Sequence, residues 1–440
     1  MKSAHRIVVF LTILLLAPSA IFAQGEKTRP PLRLQIKEIP LGKVLIEGNE
    51  YYSKAFLQRY FGLISGDASL KQKKLEKTLR LINEFPDLYV NAVLIPKKEL
   101  ISTDLLLEVY DERPVHLTLE ANNFGTKFTG ETLLTTVLTW GDLTGHGDSA
   151  MIQTVYVPTA VVDVPMWQIG YTVPLISLGA KIDFSYMASH FVVDQEFTPL
   201  NIQGESKVYA VNFIYPITRE SDWSWDFLSG MKAASVRSFA ANEEQFQDEV
   251  RTIFIGTYWK LRLNAKNTIS IGSRFTQGLG DSLSGSAGNE AGKLNFNLAE
   301  NILINARLSF LLKTAFQLSS RPLLVSEQFG IGGADSVRGF TQGTSVGDNG
   351  TVLNGEVQTP LYAQETLRIV GVAFVDYGNV FLRSPQPGQS SISLTGAGVG
   401  IRAKWNTLFS GRVDLGIPLS PHKNIDDDKA VVTVSVAMRF

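Results

Sequence analysis

An arginine and an aspartate that could form a paired contact lie in two distinctive segments of the chain. Arg338 lies in a glycine-rich loop at residues 319–349, and Asp376 follows Phe374 by two positions in an apolar segment. A guanidinium group can bind a carboxylate through two parallel hydrogen bonds, which fixes geometry as well as adding energy. The alternative is that Arg338 is an ordinary exposed arginine and that Asp376 is a residue near a strand end.

Strings that resemble enzyme motifs lack the partners that their chemistry requires. Residues 280–283 read G-D-S-L, as in some esterases, but no D-x-x-H follows to supply the base that a serine nucleophile needs. Residues 396–400 resemble part of a dinucleotide fingerprint, yet they lie in a predicted strand with no helix after it. We interpret these glycines as sites of strand curvature or of close approach by a loop. The three aspartates at 426–428 are interpreted as a solvated turn in preference to a calcium site, and no enzyme activity is predicted.

The composition excludes several other classes of protein. The chain contains no cysteine, which removes disulfides, thiolate metal sites, cysteine nucleophiles and a lipoprotein anchor. Its 5 histidines show no ligand spacing, so neither a metal nor a cofactor is expected. The 41 Lys and Arg residues balance 42 Asp and Glu residues, which gives no electrostatic reason to expect a nucleic acid partner.

Residues 113–440 alternate between apolar and polar side chains, as β-strands with two different faces do. The last segment is the clearest example, and its apolar face carries Val432, Val434, Val436, Met438 and Phe440. In a soluble sandwich such faces would meet in a core. In a membrane barrel they face lipid, and the polar faces line the lumen.

Loop lengths decide between these two architectures. Sixteen segments of this type follow one another, and short turns such as 143–147 alternate with long loops such as 188–205 and 278–293. This alternation of short turns and long loops is typical of outer-membrane barrels. No apolar run beyond the first 25 residues is long enough for a membrane helix. We therefore predict that residues 113–440 form an all-β transmembrane barrel of about 16 antiparallel strands, with loop 319–349 folded into its lumen.

The segment before the barrel is typical of an exported protein with a small separate domain. Residues 1–23 have the layout of a secretory signal peptide, with an uncleaved anchor helix as the alternative, and residues 24–43 are interpreted as a linker or N-terminal arm. Residues 44–112 show the order β-α-α-β-β, which predicts an α/β domain with one helical layer on one sheet. The predicted elements are strands at 44–48, 88–96 and 103–110, with helices at 54–61 and 70–85 that are capped by Ser53 and Ser69.

Several of these segments resemble motifs of the outer-membrane polypeptide transporters, the superfamily of barrel assembly proteins and two-partner-secretion transporters. The loop resembles that superfamily's G-G-x-x-S-V-R-G-F/Y motif, whose last four positions fall on Val337, Arg338, Gly339 and Phe340. A later strand resembles its F-x-D-x-G motif, which falls on Phe374, Asp376 and Gly378. The resemblance implies that Asp376 holds Arg338 inside the lumen, with Glu356 of a G-x-E-like segment as a further partner.

The resemblance covers nearly all of the mature chain. Residues 44–112 resemble a polypeptide-transport-associated (POTRA) domain, and residues 81–87 and 122–130 are most similar to the two-partner-secretion, or hemolysin activator/secretion, branch. Phe440 is similar to the C-terminal aromatic residue that the barrel-insertion machinery recognises. Members of this branch usually carry a pore-plugging helix and two POTRA domains, whereas residues 24–43 are too few for a second domain.

The resemblance implies an outer-membrane translocator that is not an enzyme. In this interpretation a periplasmic POTRA domain captures an unfolded polypeptide, and the barrel passes it to the cell surface without the use of a nucleotide. The alternatives are an insertase that assembles other barrel proteins through its own first and last strands, and a diffusion porin, which would not need the domain. The expected partners are a polypeptide substrate, the lipid bilayer and the barrel-insertion machinery.

Overall fold

The structure is a computed structural model, and it describes residues 38–65, 69–96, 103–126, 129–158, 166–192, 201–280, 290–385, 391–420 and 430–440. The predicted signal peptide, most of the predicted linker, the aspartates at 426–428 and residues 281–283 of the G-D-S-L string lie outside these ranges. No helix within them is long and apolar enough to cross a bilayer.

The N-terminal domain consists of one four-stranded sheet and two helices. Its elements are β1 (Glu38–Glu47), α1 (Lys54–Ser65), β2 (Ser69–Lys71), α2 (Gln72–Ile82), β3 (Leu88–Pro96) and β4 (Thr103–Asp111). The sheet order is β2-β1-β4-β3, in which β1 and β4 run parallel and the other pairs antiparallel. The predicted β-α-α-β-β order is confirmed, with the short strand β2 in addition. The first strand begins at Glu38, ahead of the domain boundary predicted at residue 44.

The two predicted helix caps have different outcomes. The hydroxyl of Ser53 accepts a hydrogen bond from the backbone N–H of Phe56 at 3.1 Å, so the cap of α1 is confirmed. The cap predicted at Ser69 is wrong, because Ser69 lies in β2 and pairs with Pro40 of β1, and α2 begins only at Gln72. Pairing with β1 satisfies the backbone of this segment, so the chain does not need a side-chain cap there.

The domain has an apolar core between its sheet and its helices. Leu75, Leu79 and Ile82 of α2 are fully buried, on the single helix face that their spacing predicts. They belong to one cluster with Phe56 of α1 and Val90 of β3. Burial of these side chains fixes both helices on one face of the sheet.

The predicted barrel of about 16 antiparallel strands is confirmed, since sixteen strands form one closed ring. In chain order these strands are β5 (Val115–Asn122), β6 (Leu133–Gly141), β7 (Ser149–Tyr156), β8 (Met166–Leu175), β9 (Ala180–Val192), β10 (Gln203–Arg219), β11 (Trp223–Ala240), β12 (Glu243–Asn264), β13 (Asn267–Gly278), β14 (Gly292–Asn305), β15 (Leu308–Ser319), β18 (Asn349–Ala363), β19 (Leu367–Phe381), β20 (Ile392–Trp405), β21 (Phe409–Pro418) and β22 (Val431–Arg439). Two short strands, β16 (Phe329–Ile331) and β17 (Ser345–Gly347), pair with each other in the loop between β15 and β18.

The first and last strands close the ring. The backbone N–H of Phe440 donates to the carbonyl of Leu117 at 2.9 Å, and the N–H of Leu117 donates back to the carbonyl of Phe440 at 3.1 Å. A closed ring pairs the backbone of every strand on both sides, which hydrocarbon requires because it offers no hydrogen bonds.

The two faces of each strand differ as the alternation predicts. On β19, the side chains of Phe374 and Asp376 are buried in the interior, while Val375 between them is 58% exposed. On β20, Val399 and Ile401 are likewise exposed on the outer surface. The outer surface is therefore apolar and fits a lipid environment, and the inner surface carries the polar groups.

The loop between β15 and β18 packs against the inner surface of the barrel. Ile331, Val337 and Phe340 of this loop are almost completely buried, and they form an apolar cluster with the inward side chains of Val352 and Val380. The β16–β17 hairpin contacts β18 and β19. The loop is thus a packed element of the barrel interior, held by burial of apolar side chains as well as by ion pairs.

The N-terminal domain packs against the short turns at one mouth of the barrel. The hydroxyl of Ser53 donates to the carbonyl of Gly145 at 3.4 Å, and His116 of β5 contacts Asp87 at 2.6 Å between Nε2 and Oδ2. Arg219, at the end of β10, forms an ion pair with Glu84. These contacts hold the domain beside the turns of β5 to β11.

Candidate functional site

Arg338 forms a bidentate ion pair with Asp376 inside the barrel. Its Nε donates to Asp376 Oδ2 at 2.7 Å, and its Nη2 donates to Oδ1 at 2.8 Å. The backbone N–H of Arg338 also donates to Oδ2, at 3.1 Å. The two side chains are 3% and 0% exposed, so a full charge pair is withdrawn from bulk water. Parallel hydrogen bonds of this kind fix the orientation of both partners.

Two further groups complete the surroundings of the guanidinium. Nη1 of Arg338 donates to Glu356 Oε1 at 2.5 Å. The Cζ atom lies 3.5 Å from the ring centroid of Phe374, so the plane of the guanidinium is stacked over an aromatic face. Arg338 is therefore bound in its plane by carboxylates and on its face by a ring. A lysine ammonium could not reproduce both contacts.

Glycines lie where the backbone around Arg338 passes close to the barrel strands. Gly339 has a φ of +96°, in the left-handed region that other residues rarely adopt. A Cβ added to Gly396 would lie 1.9 Å from the carbonyl oxygen of Arg338, and one added to Gly416 would lie 2.4 Å from the Gly339 nitrogen. Gly396 of β20 and Gly416 of β21 thus allow close approach by the loop. For Gly396 this is one of the two roles that the sequence predicts for the glycines at 396–400.

The other residues of the predicted loop and strand motifs lie around this pair. Val337 and Phe340 are 0% and 1% exposed, in the apolar cluster that seats the loop. A Cβ on Gly378 would lie 2.7 Å from Cγ2 of Val337, so this glycine makes room for that side chain. The structure therefore brings the V-R-G-F and F-x-D-x-G segments into direct contact.

Four polar residues that sequence reasoning missed extend the site. Asn354 Nδ2 donates to Asp376 Oδ1 at 2.8 Å. Asp414 of β21 accepts hydrogen bonds from Arg402 Nη1 at 2.6 Å and from Arg412 Nε at 2.7 Å. The available signal was the alternation of strand faces, since Arg412 and Asp414 occupy inward positions two residues apart. The sequence did not indicate which residues these side chains contact.

Arg412 also holds the loop directly. Its Nη1 donates to Asp335 Oδ1 at 2.8 Å, and its Nη2 donates to the Ala334 carbonyl at 2.5 Å. Asp414, which binds Arg412, lies 3.9 Å from Nη1 of Arg338. Arginines and carboxylates thus form one connected network along the inner wall from β18 to β21, and each buried charge in it has partners of opposite sign.

A second polar contact holds the start of the loop, and sequence reasoning missed it completely. Glu327 forms ion pairs with Lys232 of β11 and with Lys293 of β14, the latter at 2.5 Å between Oε2 and Nζ. Gln317 of β15 donates to the Glu327 carbonyl at 3.1 Å. The three charged side chains are between 10% and 18% exposed.

The arrangement binds one segment of the chain to the barrel wall. Within the described ranges, no cluster of His, Asp and Glu is placed to hold a metal ion. Phe440 lies away from this site, at the β5–β22 junction, where its side chain is 59% exposed. Its recognition by the insertion machinery stays a prediction.

Comparison with known proteins gives a family model and several relatives. The family model "Haemolysin secretion/activation protein ShlB/FhaC/HecB" matches residues 102–403. The heme/hemopexin transporter protein HuxB of Haemophilus influenzae (strain 86-028NP) is 21% identical, over 97% of this chain and 78% of its own. The outer membrane transporter CdiB of Dickeya dadantii (strain 3937) is 31% identical, over 28% of this chain and 22% of its own.

Solved structures share the fold. CdiB from Escherichia coli has a TM-score of 0.81 at 21% identity, over 91% of this chain and 76% of its own. BamA from Haemophilus ducreyi lacking POTRA domains 1–3 has a TM-score of 0.60 at 13% identity, over 91% of this chain and 85% of its own. Since the family model covers more than half of the 440 residues, the chain belongs to the haemolysin secretion/activation protein (ShlB/FhaC/HecB) family of two-partner-secretion transporters.

Proposed function

We propose that the N-terminal domain lies in the periplasm and captures an unfolded polypeptide, which the barrel then passes across the outer membrane to the cell surface. The family relationship supports the transport role. The packing of the domain against the short-turn mouth supports its position, because short turns are periplasmic in outer-membrane barrels.

The observation that carries the capture step is the outer edge of the domain's sheet, where the Asn83 side chain bonds the N–H and carbonyl of Val90 but no further described strand pairs with β3. Among the described strands, β3 pairs with β4 alone. Val93 and Ile95 on β3 are 36% and 40% exposed, so apolar side chains accompany the unpaired backbone. Such an edge can bind an extended chain through backbone hydrogen bonds, whatever the sequence of that chain. An unfolded polypeptide is the ligand that fits it.

Transport through the lumen requires that the loop between β15 and β18 moves, since its side chains fill part of the interior. The Arg338 network holds the loop in one defined position, so its role is to set which conformation the barrel adopts. Folding of the substrate outside the cell would prevent its return. That folding free energy can give transport its direction without a nucleotide.

The proposal is tested by comparing cells with and without this chain. Proteins at the cell surface, in the medium and in the outer membrane are quantified by mass spectrometry. A translocator predicts that one or a few large polypeptides disappear from the surface and medium while other outer-membrane barrels stay at normal levels. A general loss of other barrels, with secretion intact, would overturn the proposal in favour of an insertase.

One structural feature favours the insertase as the second candidate. The register between β5 and β22 runs over residues 118–122 and 435–439, with further backbone bonds between Leu117 and Phe440 and from Asn123 to Val434. It is shorter than the register between β21 and β22, which runs over residues 409–416 and 431–438. A short junction between the first and last strands opens more readily than its neighbours. An insertase would use that opening, whereas a translocator that works through its lumen would not.

A disulfide across this junction separates the two candidates. Thr118 and Arg439 face each other next to the hydrogen-bonded pair of Leu117 and Phe440, so their Cα atoms are expected about 4.5 Å apart, within disulfide range. The chain has no cysteine, so Thr118→Cys with Arg439→Cys would form a unique bond. Translocation should continue when the two cysteines are oxidised to a disulfide, at the level seen in a control that carries Thr118→Cys alone. Loss of activity that a reductant restores would contradict passage through the lumen.

A further inference from the structure

The ion pairs of Glu327 and of Arg412 attach the loop to opposite sides of the barrel. Glu327 binds Lys232 on β11, and Asp335 binds Arg412 on β21. Around the ring of sixteen strands, β11 and β21 are eight steps apart in either direction, through β12, β13, β14, β15, β18, β19 and β20 on one side. Between these attachments the chain runs along the inner wall, since Gln317 of β15 binds the Glu327 carbonyl and Ile331 belongs to the apolar cluster with Val352 of β18 and Val380 of β19. The ion pairs of Glu327 extend the contacts of the loop from this wall to β14 and β11, so the loop narrows the lumen on the β11–β14 side.

The attachment of the loop at Glu327 differs in strength from the one at Arg338. Arg338 is held by two parallel hydrogen bonds to Asp376, by Glu356 and by the ring of Phe374, and its side chain is 3% exposed. The ammonium groups that bind Glu327 are point charges on flexible stems. Their side chains are 15% and 18% exposed, so water reaches them more easily. The attachment at Glu327 is therefore easier to release than the one at Arg338.

The charges around Glu327 are unbalanced. One carboxylate faces Lys232 and Lys293, and Arg274 on β13 adds a further positive charge beside Lys293. Gln317, which donates to the Glu327 carbonyl, is a neutral amide and adds no negative charge. When Glu327 leaves, two ammonium groups stay on the wall with no carboxylate of the loop between them. They then form a site for another carboxylate.

We propose that Lys232 and Lys293 form a carboxylate-binding site in the lumen wall, that Glu327 occupies this site when the passage is closed, and that release of Glu327 opens the passage on the β11–β14 side. Arg338 keeps its contacts and acts as the fixed end of the loop. Glu327 is thus a positioning residue for transport. This inference rests on the proposed function for its purpose, but its test does not need a transported polypeptide.

The electrical conductance of the purified full-length protein in planar lipid bilayers tests the proposal. Glu327→Gln keeps the shape of the side chain but loses its charge, so the fraction of time spent in the open state should rise about tenfold, as expected for the loss of charge-assisted hydrogen bonds. Glu290→Gln is the matched control, because Glu290 pairs with Arg321 near the base of the same loop, with side chains 64% and 61% exposed. An unchanged open fraction in Glu327→Gln, or an equal rise in Glu290→Gln, would overturn the proposal.

A charge exchange separates a specific ion pair from general damage to the loop. Glu327→Lys should open the channel strongly, since it brings three ammonium groups together. Adding Lys232→Glu and Lys293→Glu to that variant restores attraction with the signs reversed, and it should return conductance to the closed level. A triple variant that stays open while retaining its heat-modifiable barrel would overturn the proposal.

A third measurement separates this inference from the proposed function. Glu327→Cys and Lys293→Cys can be joined by a short bismaleimide, because the chain has no other cysteine. The cross-linked protein should stay closed in the bilayer and should fail to export polypeptide in cells. If the wild type exports nothing but the conductance results hold, the proposed function fails and the attachment at Glu327 stands. If export survives cross-linking, the attachment at Glu327 does not need to release, and the inference fails alone.

Discussion

Arg338 and Asp376 lie 38 positions apart in the sequence, yet they share two parallel hydrogen bonds in the interior of the barrel. One partner belongs to a loop and the other to a strand, so their contact fixes where the loop lies. Because Glu356 and Phe374 contact the same guanidinium, the position of Arg338 is determined on every side. The pair therefore selects one conformation of the loop, and we expect its loss to affect transport more than barrel formation.

The first prediction concerns variants of this pair. Arg338→Ala and Asp376→Ala should each leave an inserted, heat-modifiable barrel but reduce export by at least about tenfold, since each leaves a buried charge without its partner. Arg338→Lys should resemble Arg338→Ala, because an ammonium lacks the planar pair of donors. Export and heat-modifiability are measured in the same membranes.

The double variant provides the control for this prediction. Arg338→Ala and Asp376→Ala remove the same contact, so the combination should be little worse than either change alone. Defects that simply add would show that the two residues act separately. Normal export in both single variants would show that the ion pair has no role in transport.

The second prediction concerns the glycines that face the loop. Gly396→Ala would place a Cβ 1.9 Å from the carbonyl oxygen of Arg338. The backbone cannot yield by that amount without displacing the loop, so we expect a cost of about 1–3 kcal/mol and weaker export. Gly411→Ala is the control, since its Cβ would meet Phe409 at an ordinary 3.5 Å. Thermal loss of heat-modifiability measures the stability, and equal behaviour of both variants would contradict the proposed close approach.

The alternation of strand faces made part of this site predictable from the sequence. Asp376 shares a face with Phe374 because side chains two apart on a strand point the same way. In a barrel with an apolar outer surface, that alternation by itself assigns Asp376 to the lumen. The same rule places Arg412 and Asp414 inward, but on its own it does not distinguish a member of the network from an ordinary lumen residue.

Contacts between distant segments could not be predicted. Glu327 meets Lys232 and Lys293, which lie 95 and 34 residues away, and nothing local to Glu327 indicates either partner. Ser69 shows the same limit inside the domain. Its local pattern is typical of a helix cap, but pairing with β1 extends the chain there instead. Pairing and loop position are decided by tertiary contacts, which outweigh local preference.

The third prediction concerns pH. Burial opposes ionisation of the Glu327 carboxyl, but the ammonium groups of Lys293 and Lys232 outweigh it and lower the pKa of Glu327 to about 2. A lowered acid pKa gives stability that is complete above the unfolded value of about 4.3 and is lost as pH falls through the folded value. The closed state should therefore respond little between about pH 8 and about pH 5, begin to weaken below about pH 4 and be lost progressively as pH falls towards about 2.

Single-channel recording across this pH range checks the prediction. The Glu327→Gln variant serves as the control, because it lacks the titrating group and should be open to the same extent at every pH. A transition of the wild type between about pH 5 and about pH 7 would mean that another group controls closure.

The fourth prediction concerns topology. If the domain of residues 44–112 is periplasmic, protease added to intact cells should leave it uncut, while the same protease should cut it after the outer membrane is permeabilised. The expectation follows from its packing on the short turns near Gly145 and Gly147. Antibody against the domain detects the fragments. Cleavage within the domain on intact cells would place it outside and would end the proposed capture step.

The last prediction concerns the contact between the domain and the barrel. Gly147 has a φ of +78°, and a Cβ there would lie 2.3 Å from Cε2 of Phe56 and 3.0 Å from Cε1 of Phe85. Phe56 is 0% exposed in the core of the domain, so its ring cannot move aside. Gly147→Ala should therefore lift the domain off the turn and reduce export while the barrel stays inserted.

The matched control for this variant is Gly145→Ala. Gly145 has a φ of +76°, but a Cβ there would meet no atom within 4 Å. Both alanines strain the backbone of the same turn by a similar amount, about 1 kcal/mol, and only Gly147→Ala also clashes with the domain. We expect protease to cut the purified Gly147→Ala protein between the domain and the barrel faster than the Gly145→Ala protein. Equal cleavage and equal export in the two variants would show that strain in the turn, and not the contact with Phe56, accounts for any defect.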